Sequence, residues 1–194
     1  YSAIQNFKRP CEVACKVNAI SMDEDKAAKI DNDKCISCGA CVNMCPFGSI
    51  TQKSYILNVI GMLKEAKRTG AHVYAVVAPA IASQFNWAKL GQVVSAIKKL
   101  GFYSVVEAAL GADMVALSES QEFLEKGLLT SSCCPAFVDY IKKYYPELTQ
   151  YISHNNSPMV EIAKYIKEKD PIARVVFIGP CTAKKMEIKQ EHVG

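Results

Sequence analysis

Ser131-Ser132-Cys133-Cys134-Pro135-Ala136-Phe137 is the stretch that decides the fold. It follows a short apolar run, residues 127–130, and precedes an amphipathic segment, residues 137–144. The pattern predicts a strand, a tight turn and a helix, with Pro135 at the first helical position, where its missing N–H leaves no hydrogen bond unmade. The two thiols would then lie at the carboxyl edge of a sheet, where open α/β folds bind ligands, beside a helix N-terminus that favours thiolates.

A second turn of the same design follows the buried-strand run Arg174-Val175-Val176-Phe177-Ile178. That run ends in Gly179-Pro180-Cys181, and residues 182–187 open a helix. Two strand ends that each bring a cysteine to one sheet edge form an arrangement suited to a metal cluster. The alternative at this point is that the cysteines of both turns are buried small hydrophobic residues, as free cysteines often are.

The composition bounds the class of protein. The chain has 194 residues, a formal charge of +4 and 50% hydrophobic residues, which allows one or two domains with a core. We find no apolar stretch of membrane-spanning length and no signal peptide, and the spread charge gives little support for nucleic-acid binding. Nine cysteines at these spacings indicate metal ligands in a reducing compartment, so we expect the cytoplasm. Since the chain begins at Tyr1 and stops at Gly194, we expect a fragment.

The strongest signal is the run Cys35-Ile36-Ser37-Cys38-Gly39-Ala40-Cys41-Val42-Asn43-Met44-Cys45-Pro46, the C-x2-C-x2-C-x3-C-P pattern of bacterial ferredoxins. Three thiolates on such a loop can wrap one corner of a 4Fe–4S cube, and Pro46 turns the fourth cysteine away. Zinc is the competing interpretation, but zinc motifs pair two C-x2-C units at a distance rather than chaining three spacings. We therefore predict an iron–sulfur site here.

An upstream segment repeats part of this pattern. Cys11-x3-Cys15 followed by Asn18-Ala19-Ile20 mirrors Cys41-x3-Cys45 followed by Gly48-Ser49-Ile50. Such an internal repeat is typical of a ferredoxin built from two halves. By ferredoxin logic the upstream half contributes the fourth ligand of the first cluster. The four predicted ligands are Cys15, Cys35, Cys38 and Cys41.

Cys11 and Cys45 would then belong to a second cluster. Its other two ligands should lie near Gln5 and Lys8, and neither is cysteine. The second cluster is therefore absent, completed by residues outside this chain, or dependent on an unusual ligand. A disulfide between Cys11 and Cys45 is the alternative that needs no metal. Between the two halves, residues 22–33 form a polar, charged hairpin that we expect at the surface.

From residue 55 the chain alternates predicted helices with apolar strands, which indicates a mostly parallel sheet covered by helices on both faces. The fold class is thus α/β, with a ferredoxin-like α+β domain over residues 1–53 and a parallel-sheet domain over residues 54–194. The predicted strands are 73–78, 103–107 and 174–178. The predicted helices are 56–67, 93–100, 111–126, 135–144 and 158–169.

A ferredoxin-like segment followed by these two cysteine turns resembles the iron-only (FeFe) hydrogenases. The family's first signature, Thr-Ser-Cys-Cys-Pro-Gly-Trp, corresponds to residues 131–137. Its second, Met-Pro-Cys-x-x-Lys-x-x-Glu, has Gly179 in place of the methionine. The matching residues are Pro180, Cys181, Lys184 and Glu187. The third signature, a glycine-rich segment with two more cysteines, is missing. The resemblance therefore covers the whole chain given, but only about the first half of the family's catalytic domain.

The resemblance implies an active-site 4Fe–4S cluster, with Cys134 and Cys181 as two of its four ligands. In the family, a cysteine of the missing segment bridges this cluster to a two-iron unit that carries carbon monoxide and cyanide. Lys184 matches the lysine that hydrogen-bonds an iron-bound cyanide, a suitable partner for an anion. Cys133 matches the thiol that passes protons to the unit's bridging amine, and Ala78-Pro79-Ala80 resembles the loop that packs on the unit.

The resemblance also implies a proton route. Glu119 and Glu122 lie three residues apart on one helix face, a spacing for which surface carboxylates are the default interpretation. Both align with the relay glutamates of the family, and Ser153 aligns with the relay serine between them. Cys133, Glu122, Ser153 and Glu119 would make a continuous path between surface and metal if each neighbour lies within hydrogen-bond reach or one water away.

Four substitutions beside the expected active cluster indicate a divergent branch of the family. They are Ser131, Ala136, Phe137 and Gly179, in place of threonine, glycine, tryptophan and methionine. Such branches include sensory hydrogenases with slow turnover, since small changes around a metal site move its potential and proton affinity. The predicted function is interconversion of dihydrogen with protons and electrons, which pass through 4Fe–4S clusters, in a catalyst or a low-turnover sensor.

Two functions without a two-iron unit are the alternatives. Hydrogenase-related iron–sulfur assembly proteins typically lack the paired cysteines and the relay, so Cys133 and the two glutamates argue against this class. A plain electron carrier would leave residues 54–194 without a purpose. As partners we expect a redox partner protein or further domain, maturation proteins and, as an open option, a second copy in a homodimer, with no nucleic acid and no membrane span.

Overall fold

The N-terminal segment is a small repeat of helices around a hairpin. A computed structural model of the chain describes residues 8–25 and 27–189. In chain order the first elements are α1 (Pro10–Ala14), β1 (Ile20–Met22), β2 (Ala28–Ile30) and α2 (Ala40–Met44). The two strands pair antiparallel, with Ile20 opposite Ile30. Of the residues that join them, Asp23, Glu24, Asp25 and Ala27 are exposed, in line with the expected surface hairpin.

The rest of the described chain alternates helices and strands. The elements are α3 (Ile56–Thr69), β3 (His72–Val77), α4 (Ile81–Gln84), α5 (Leu90–Lys99), β4 (Ser104–Glu107), α6 (Ala108–Lys126), α7 (Pro135–Tyr144), a 3-10 helix (Pro146–Tyr151), α8 (Pro158–Lys169), β5 (Ala173–Ile178) and α9 (Lys184–Glu187). The last three strands form one sheet with the order β4-β3-β5, and β3 pairs parallel with both neighbours. The predicted α/β class is confirmed.

Helices cover both faces of this sheet, so the central strand is buried on both sides. Val73, Ala75 and Val77 of β3 pack in a cluster with residues of α3 and α5. Val76 points to the other face and packs with Ile162 of α8. Because both faces are covered, β3 is a nearly continuous apolar run rather than an alternating one. The strand ends are therefore held by a packed core on either side.

One predicted element is wrong. Residues 127–130 do not form a strand, and their pairing is a single parallel bridge between Thr130 and Ile152. The run starts at Gly127, which ends α6 with φ +76°, and Leu128 is 56% exposed. Too few residues remain after the helix end to build a ladder. The turn that follows is nevertheless fixed, since Thr130 N–H donates to the Tyr151 carbonyl at 2.7 Å.

No helix within residues 8–25 and 27–189 is both long enough and apolar enough to cross a membrane.

Helices α6 and α8 approach closely at Gly111, which is buried. A Cβ at this position would lie 2.2 Å from the Pro158 carbonyl oxygen and 3.0 Å from Ile162 Cβ. The backbone carbonyl cannot move without breaking the start of α8. Gly111 is therefore required by the packing of the two helices, although glycine lowers helix propensity.

We expect Gly111→Ala to lower the free energy of unfolding by about 1–3 kcal/mol, because the added methyl forces the helices apart. The control is Gly61→Ala in α3, where no described atom lies within 4 Å of the new Cβ. That change should raise stability by roughly 0.5–1 kcal/mol through helix propensity. Urea denaturation followed by circular dichroism measures both. Equal stabilities for the two variants would contradict the close approach.

Candidate functional site

The repeat in the N-terminal sequence is also a repeat of local structure. Cys15 ends α1 with φ −79° and ψ 98°, and Cys45 ends α2 with φ −82° and ψ 107°. Cys15 Sγ accepts a hydrogen bond from Ala19 N–H at 3.2 Å, and Cys45 Sγ accepts one from Ser49 N–H at 3.2 Å. Each half thus presents a cysteine sulfur inside the same amide-lined turn.

Amide-to-sulfur hydrogen bonds favour the thiolate at Cys45 and also reach the sulfur of Cys35. Cys35 Sγ accepts from Ser37 N–H at 3.3 Å. The backbone N–H groups of Ile50 and Phe47 lower the pKa of the Cys45 thiol below its usual range. Hydrogen bonds to cluster sulfurs are one of the means by which proteins stabilise iron–sulfur centres. The local backbone therefore fits anionic sulfur ligands.

Three cysteines of the ferredoxin-like run lie close enough to repel one another as thiolates. Burial raises the pKa of the Cys41 thiol, and the negative charges of Cys35 and Cys38 raise it further. The thiols that coordinate a metal are deprotonated, and the positive charge of the metal offsets the repulsion between the resulting thiolates. Within residues 8–25 and 27–189, no three cysteine, histidine or carboxylate side chains are close enough together to hold a single metal ion. The chemistry of the four thiols Cys15, Cys35, Cys38 and Cys41 suits a 4Fe–4S cluster, and its membership stays a prediction.

The second cluster also stays a prediction. Cys11 and Cys45 are both free thiols, so the disulfide alternative is wrong in this structure. Cys11 is buried, with 6% of its surface exposed. Of the two positions where the ferredoxin pattern places further ligands, Lys8 is an exposed lysine and Gln5 lies outside the described residues.

The two cysteine turns expose their thiols rather than burying them. Cys133, Cys134 and Cys181 are all exposed, so the interpretation as small hydrophobic core residues is wrong. Cys134 is the N-cap of α7 and Pro135 is its first helical residue, as predicted. Cys181 follows β5 by a short turn before α9 begins.

Lys184 joins the two turns. Its Nζ donates to the Cys133 carbonyl at 3.0 Å and to Glu187 Oε2 at 2.9 Å. The side chains of Lys184 and Glu187 are 13% and 8% exposed, so this ion pair is largely buried. Removal of one partner would leave a buried charge, which is strongly unfavourable. Glu187 thus fixes the position of the lysine beside Cys133.

A pocket of about 200 Å³ opens between the two turns and α6. Its lining residues are Ala78, Pro79, Ala108, Ala109, Ala112, Cys133, Pro158, Met159, Phe177 and Lys184. Three of the predicted site residues, Pro79, Cys133 and Lys184, therefore line the same pocket. Ala80, by contrast, is not in the lining and is the N-cap of α4. The walls are mostly apolar, with one thiol and one ammonium, which suits a ligand that carries negative charge.

Phe177 explains the glycine at position 179. A Cβ on Gly179 would lie 2.7 Å from Phe177 Cε1 and 3.0 Å from Ala78 Cβ. The ring of Phe177 occupies the space into which a larger residue at this position would extend, and the same ring lines the pocket. The substitution of methionine by glycine is therefore matched by a bulky neighbour two residues earlier.

Glu119 contacts the turn that carries the paired cysteines. Its Oε1 accepts hydrogen bonds from Ser131 Oγ at 2.9 Å and from Ser132 N–H at 3.3 Å. Ser131 Oγ in turn accepts from Cys133 N–H at 3.3 Å. The serine that replaces the family's threonine keeps a hydroxyl at this position.

Glu122 forms a separate cluster, which reaches the surface at His154. It accepts hydrogen bonds from Ser153 Oγ at 3.0 Å, Lys126 Nζ at 2.6 Å and Asn155 Nδ2 at 3.1 Å. His154 Nδ1 lies 2.7 Å from its Oε1, and the His154 side chain is 79% exposed. Burial alone would raise the pKa of Glu122, but the hydrogen bonds from Lys126, His154 and Ser153 lower it to about 2.

The order of the two glutamates is opposite to the predicted one. We placed Glu122 next to Cys133 and Glu119 beyond Ser153, whereas Glu119 contacts the cysteine turn and Glu122 binds the buried Ser153 beside the exposed His154. Within residues 8–25 and 27–189, no direct hydrogen bond links Ser153 to Glu119. Both carboxylates share a helix face, and the packing of α6 against the turn decides which one points inwards.

Sequence reasoning missed three members of the Glu122 cluster, which are Lys126, His154 and Asn155. Lys126 follows Glu122 by four residues on α6, a spacing typical of helical ion pairs, so this contact had a readable signal. His154 had none, because its contact with Glu122 spans 32 residues of chain and depends on tertiary structure.

The cysteine loop of the N-terminal segment contacts the Cys181 turn directly. Thr182 Oγ1 donates to the Ser37 carbonyl at 2.8 Å. Gly39, between Cys38 and Cys41, has φ +78°, and a Cβ there would lie 2.4 Å from Thr182 Oγ1. The contact therefore joins the two cysteine sites through a close approach that glycine permits.

Comparison with known proteins supports the same assignment of the two parts. Residues 71–194 match the family described as "Iron only hydrogenase large subunit, C-terminal domain", and residues 28–51 match "4Fe-4S binding domain". The second match favours iron–sulfur over zinc at the ferredoxin-like run.

Three relatives are similar over most of this chain. They are the NADP-reducing hydrogenase subunit HndD of Solidesulfovibrio fructosivorans (29% identical, 79% of this chain, 30% of the relative), iron hydrogenase 1 of Clostridium pasteurianum (27%, 85% and 40%), and the cytosolic Fe-S cluster assembly factor NAR1 of Meyerozyma guilliermondii (27%, 82% and 34%). The chain thus spans less than half the length of each of these relatives.

We expect Gly39→Ala to destabilise the docked cysteine loop. The left-handed backbone alone costs an alanine about 1–2 kcal/mol, and the overlap with Thr182 adds to this. Gly48→Ala is the control, since Gly48 has φ +62° but no described atom within 4 Å of a new Cβ. Anaerobic thermal unfolding and iron content measure both. Thr182→Ala in the Gly39→Ala background should recover part of the loss; no recovery would contradict the contact.

We expect Glu122→Gln to destabilise the protein at pH 7. The pKa of Glu122 is about 2 in the folded protein against an ordinary 4.5, so the charged carboxylate stabilises the fold above pH 4.5. This contribution is lost as the pH falls through 2. The difference between variant and wild type should therefore shrink over this range in urea denaturation of the iron-free protein. Glu125→Gln, an exposed change on the same helix, should show no such trend; a constant difference for Glu122→Gln would refute the assignment.

Proposed function

The chain belongs to the iron-only hydrogenase large-subunit family, and on that basis we propose that it is part of an oxidoreductase that interconverts dihydrogen with protons and electrons. The observation that carries the proposal is the pocket between the two cysteine turns. Cys133, Lys184 and Pro79 line it, and Cys134 and Cys181 lie in the same two turns.

The chain's residues fit two iron–sulfur sites. The 4Fe–4S binding segment, residues 28–51, supplies the first, and we propose Cys15, Cys35, Cys38 and Cys41 as its ligands. Cys134 and Cys181 would hold two corners of the active-site cluster. When bound, a two-iron unit with carbon monoxide and cyanide would supply the bond chemistry on dihydrogen.

Lys184 is suited to hold an anionic ligand in the pocket. An ammonium has three N–H donors, and the described contacts use two of them, on Cys133 and Glu187. The third is available to a group in the pocket. Because the ammonium is 13% exposed, a hydrogen bond to an anion there is less weakened by water than at the surface.

We propose that the carboxylate clusters carry protons between the surface and the pocket. The outer station is Glu122 with Ser153, beside the exposed His154, and the inner station is Glu119 on the turn of Cys133. A bridging water would complete the step between Ser153 and Glu119. Lys126 holds Glu122 ionised at neutral pH, so proton passage requires this ion pair to loosen.

The substitutions in the two signatures leave the polar contacts of the pocket in place. Ser131 retains the hydroxyl that bonds Glu119, and Phe177 fills the space beside Gly179. They change the apolar surroundings, which affects potential and proton affinity more than fold. The proposal covers a catalyst and a low-turnover sensor, which the turnover rate separates.

We further propose a domain boundary after residue 53, between the two family matches, and a location in the cytoplasm with a redox partner protein or domain. One relative is named as a subunit of an NADP-reducing hydrogenase, which supports a multi-component electron path.

Iron–sulfur assembly is the second candidate function, favoured by the similarity to the assembly factor of M. guilliermondii. The retained thiol of Cys133, in the pocket with Lys184, and the two glutamates support the hydrogenase over this class.

The test is an anaerobic infrared spectrum of the full-length protein after maturation with the two-iron cofactor. We expect carbonyl and cyanide stretching bands, and we expect Lys184→Met to shift the cyanide bands because it removes their proposed donor. Lys185→Met is the matched control, since Lys185 donates to the Lys53 carbonyl outside the pocket and should leave the bands unchanged.

A hydrogenase matured in parallel shows that maturation works. Absence of the bands in this protein, with intact 4Fe–4S signals in electron paramagnetic resonance, would overturn the hydrogenase proposal in favour of assembly or electron transfer.

A further inference from the structure

Lys143, near the end of α7, binds the backbone of the ferredoxin-like loop. Its Nζ donates to the carbonyl oxygens of Cys35 at 2.7 Å and Asn32 at 3.0 Å. Cys35 opens the C-x2-C-x2-C run, so the ammonium lies against the peptide group of a predicted cluster ligand. This is a contact across 108 residues of chain, between the parallel-sheet part and the iron–sulfur segment.

The charge of Lys143 is not neutralised by a carboxylate. The seven ion pairs among residues 8–25 and 27–189 do not include it. The charged side chains next in sequence to the two contacted carbonyls are Asp31, Asp33 and Lys34, of which Asp31 and Lys34 pair with each other at 3.3 Å. Lys143 therefore adds a net positive charge next to the loop.

Tyr144 holds the same loop in place without adding charge. Its hydroxyl lies 3.0 Å from the Lys34 carbonyl and 3.3 Å from the Val17 carbonyl. Four backbone carbonyls of the iron–sulfur segment thus face two adjacent side chains of α7. The loop cannot move away from Lys143 without also losing the tyrosine contacts.

We propose that Lys143 is a positioning residue that raises the reduction potential of the 4Fe–4S site in this loop. Each electron that enters the site adds one negative charge, and a fixed ammonium beside it lowers the energy of the more negative state. Net charge and hydrogen bonding are among the factors that set iron–sulfur potentials. The inference rests on the 4Fe–4S binding segment and not on turnover of dihydrogen.

The position of Lys143 at the end of a helix is a separate explanation for a positive charge there, and the neighbouring Lys142 is the control for it. A lysine in the last turn of a helix also stabilises the carbonyl end of the dipole. Lys142 occupies the same turn, is exposed, and donates no hydrogen bond to the described part of the loop. A dipole effect acts on both lysines, whereas an effect on the iron–sulfur site belongs to Lys143 alone.

The experiment is an anaerobic redox titration, with a chemical reductant, of the iron-loaded chain, followed by electron paramagnetic resonance. We expect Lys143→Gln to have a more negative midpoint, so that at the wild-type midpoint the ratio of reduced to oxidised site falls on the order of fivefold. Lys142→Gln should titrate like wild type. Lys143→Arg, which keeps the charge, should also stay with wild type and tests the proposal even if the glutamine variant binds no iron.

Tyr144→Phe separates charge from loop position. It removes two contacts to the loop and no charge, so its midpoint should shift less than that of Lys143→Gln. The proposal is overturned if Lys143→Gln and Lys142→Gln titrate together, if Lys143→Arg shifts to a more negative midpoint, or if Tyr144→Phe shifts as far as Lys143→Gln. These readings need no hydrogenase activity, so they stand apart from the infrared test.

Discussion

Negative charge on gathered sulfur atoms is the constraint to which most of this structure responds. Burial raises the pKa of the Cys41 thiol, and the charges of Cys35 and Cys38 on the same short loop raise it further. Backbone N–H groups donate to the sulfurs of Cys15, Cys35 and Cys45, and Cys134 is the N-cap of α7. The chain then adds lysines at carbonyl groups of the cysteine turns rather than at the sulfurs. These backbone and lysine contacts of the cysteine turns are present in the protein without iron.

The sheet converts that local chemistry into a site. Because β3 is buried on both faces, the ends of β3 and β5 have little freedom, and the turns that follow inherit their positions. The pocket wall consists largely of alanine and proline from those turns and from α6, residues with few or no side-chain torsions to reorganise. The polar groups in it, Cys133 and Lys184, are thus presented by a rigid frame.

The sequence revealed the features that depend on local pattern. The cysteine spacings, the duplicated turn around Cys15 and Cys45, and the three parallel strands all follow from residues near one another in the chain. The prediction of a strand at 127–130 was wrong because a strand needs a partner to pair with. After the glycine at the end of α6, only Thr130 pairs, in a single bridge with Ile152. The order of Glu119 and Glu122 failed for a related reason, since helical spacing shows which residues share a face but not what that face meets. The contacts of Lys143 and Thr182 with the cysteine loop each span more than 100 residues of chain, and no local pattern could predict them.

Helix α7 has a consequence that follows from its two ends. Its N-cap is Cys134 and its last turn carries Lys143 and Tyr144, which bind the ferredoxin-like loop. Ten helical residues at 1.5 Å each make a strut of about 15 Å. The number of residues in this helix therefore sets the distance between the turn of the paired cysteines and the ferredoxin-like loop. An insertion or deletion of one residue would rotate the last turn by about 100° and break the contacts of Lys143 and Tyr144 with the loop.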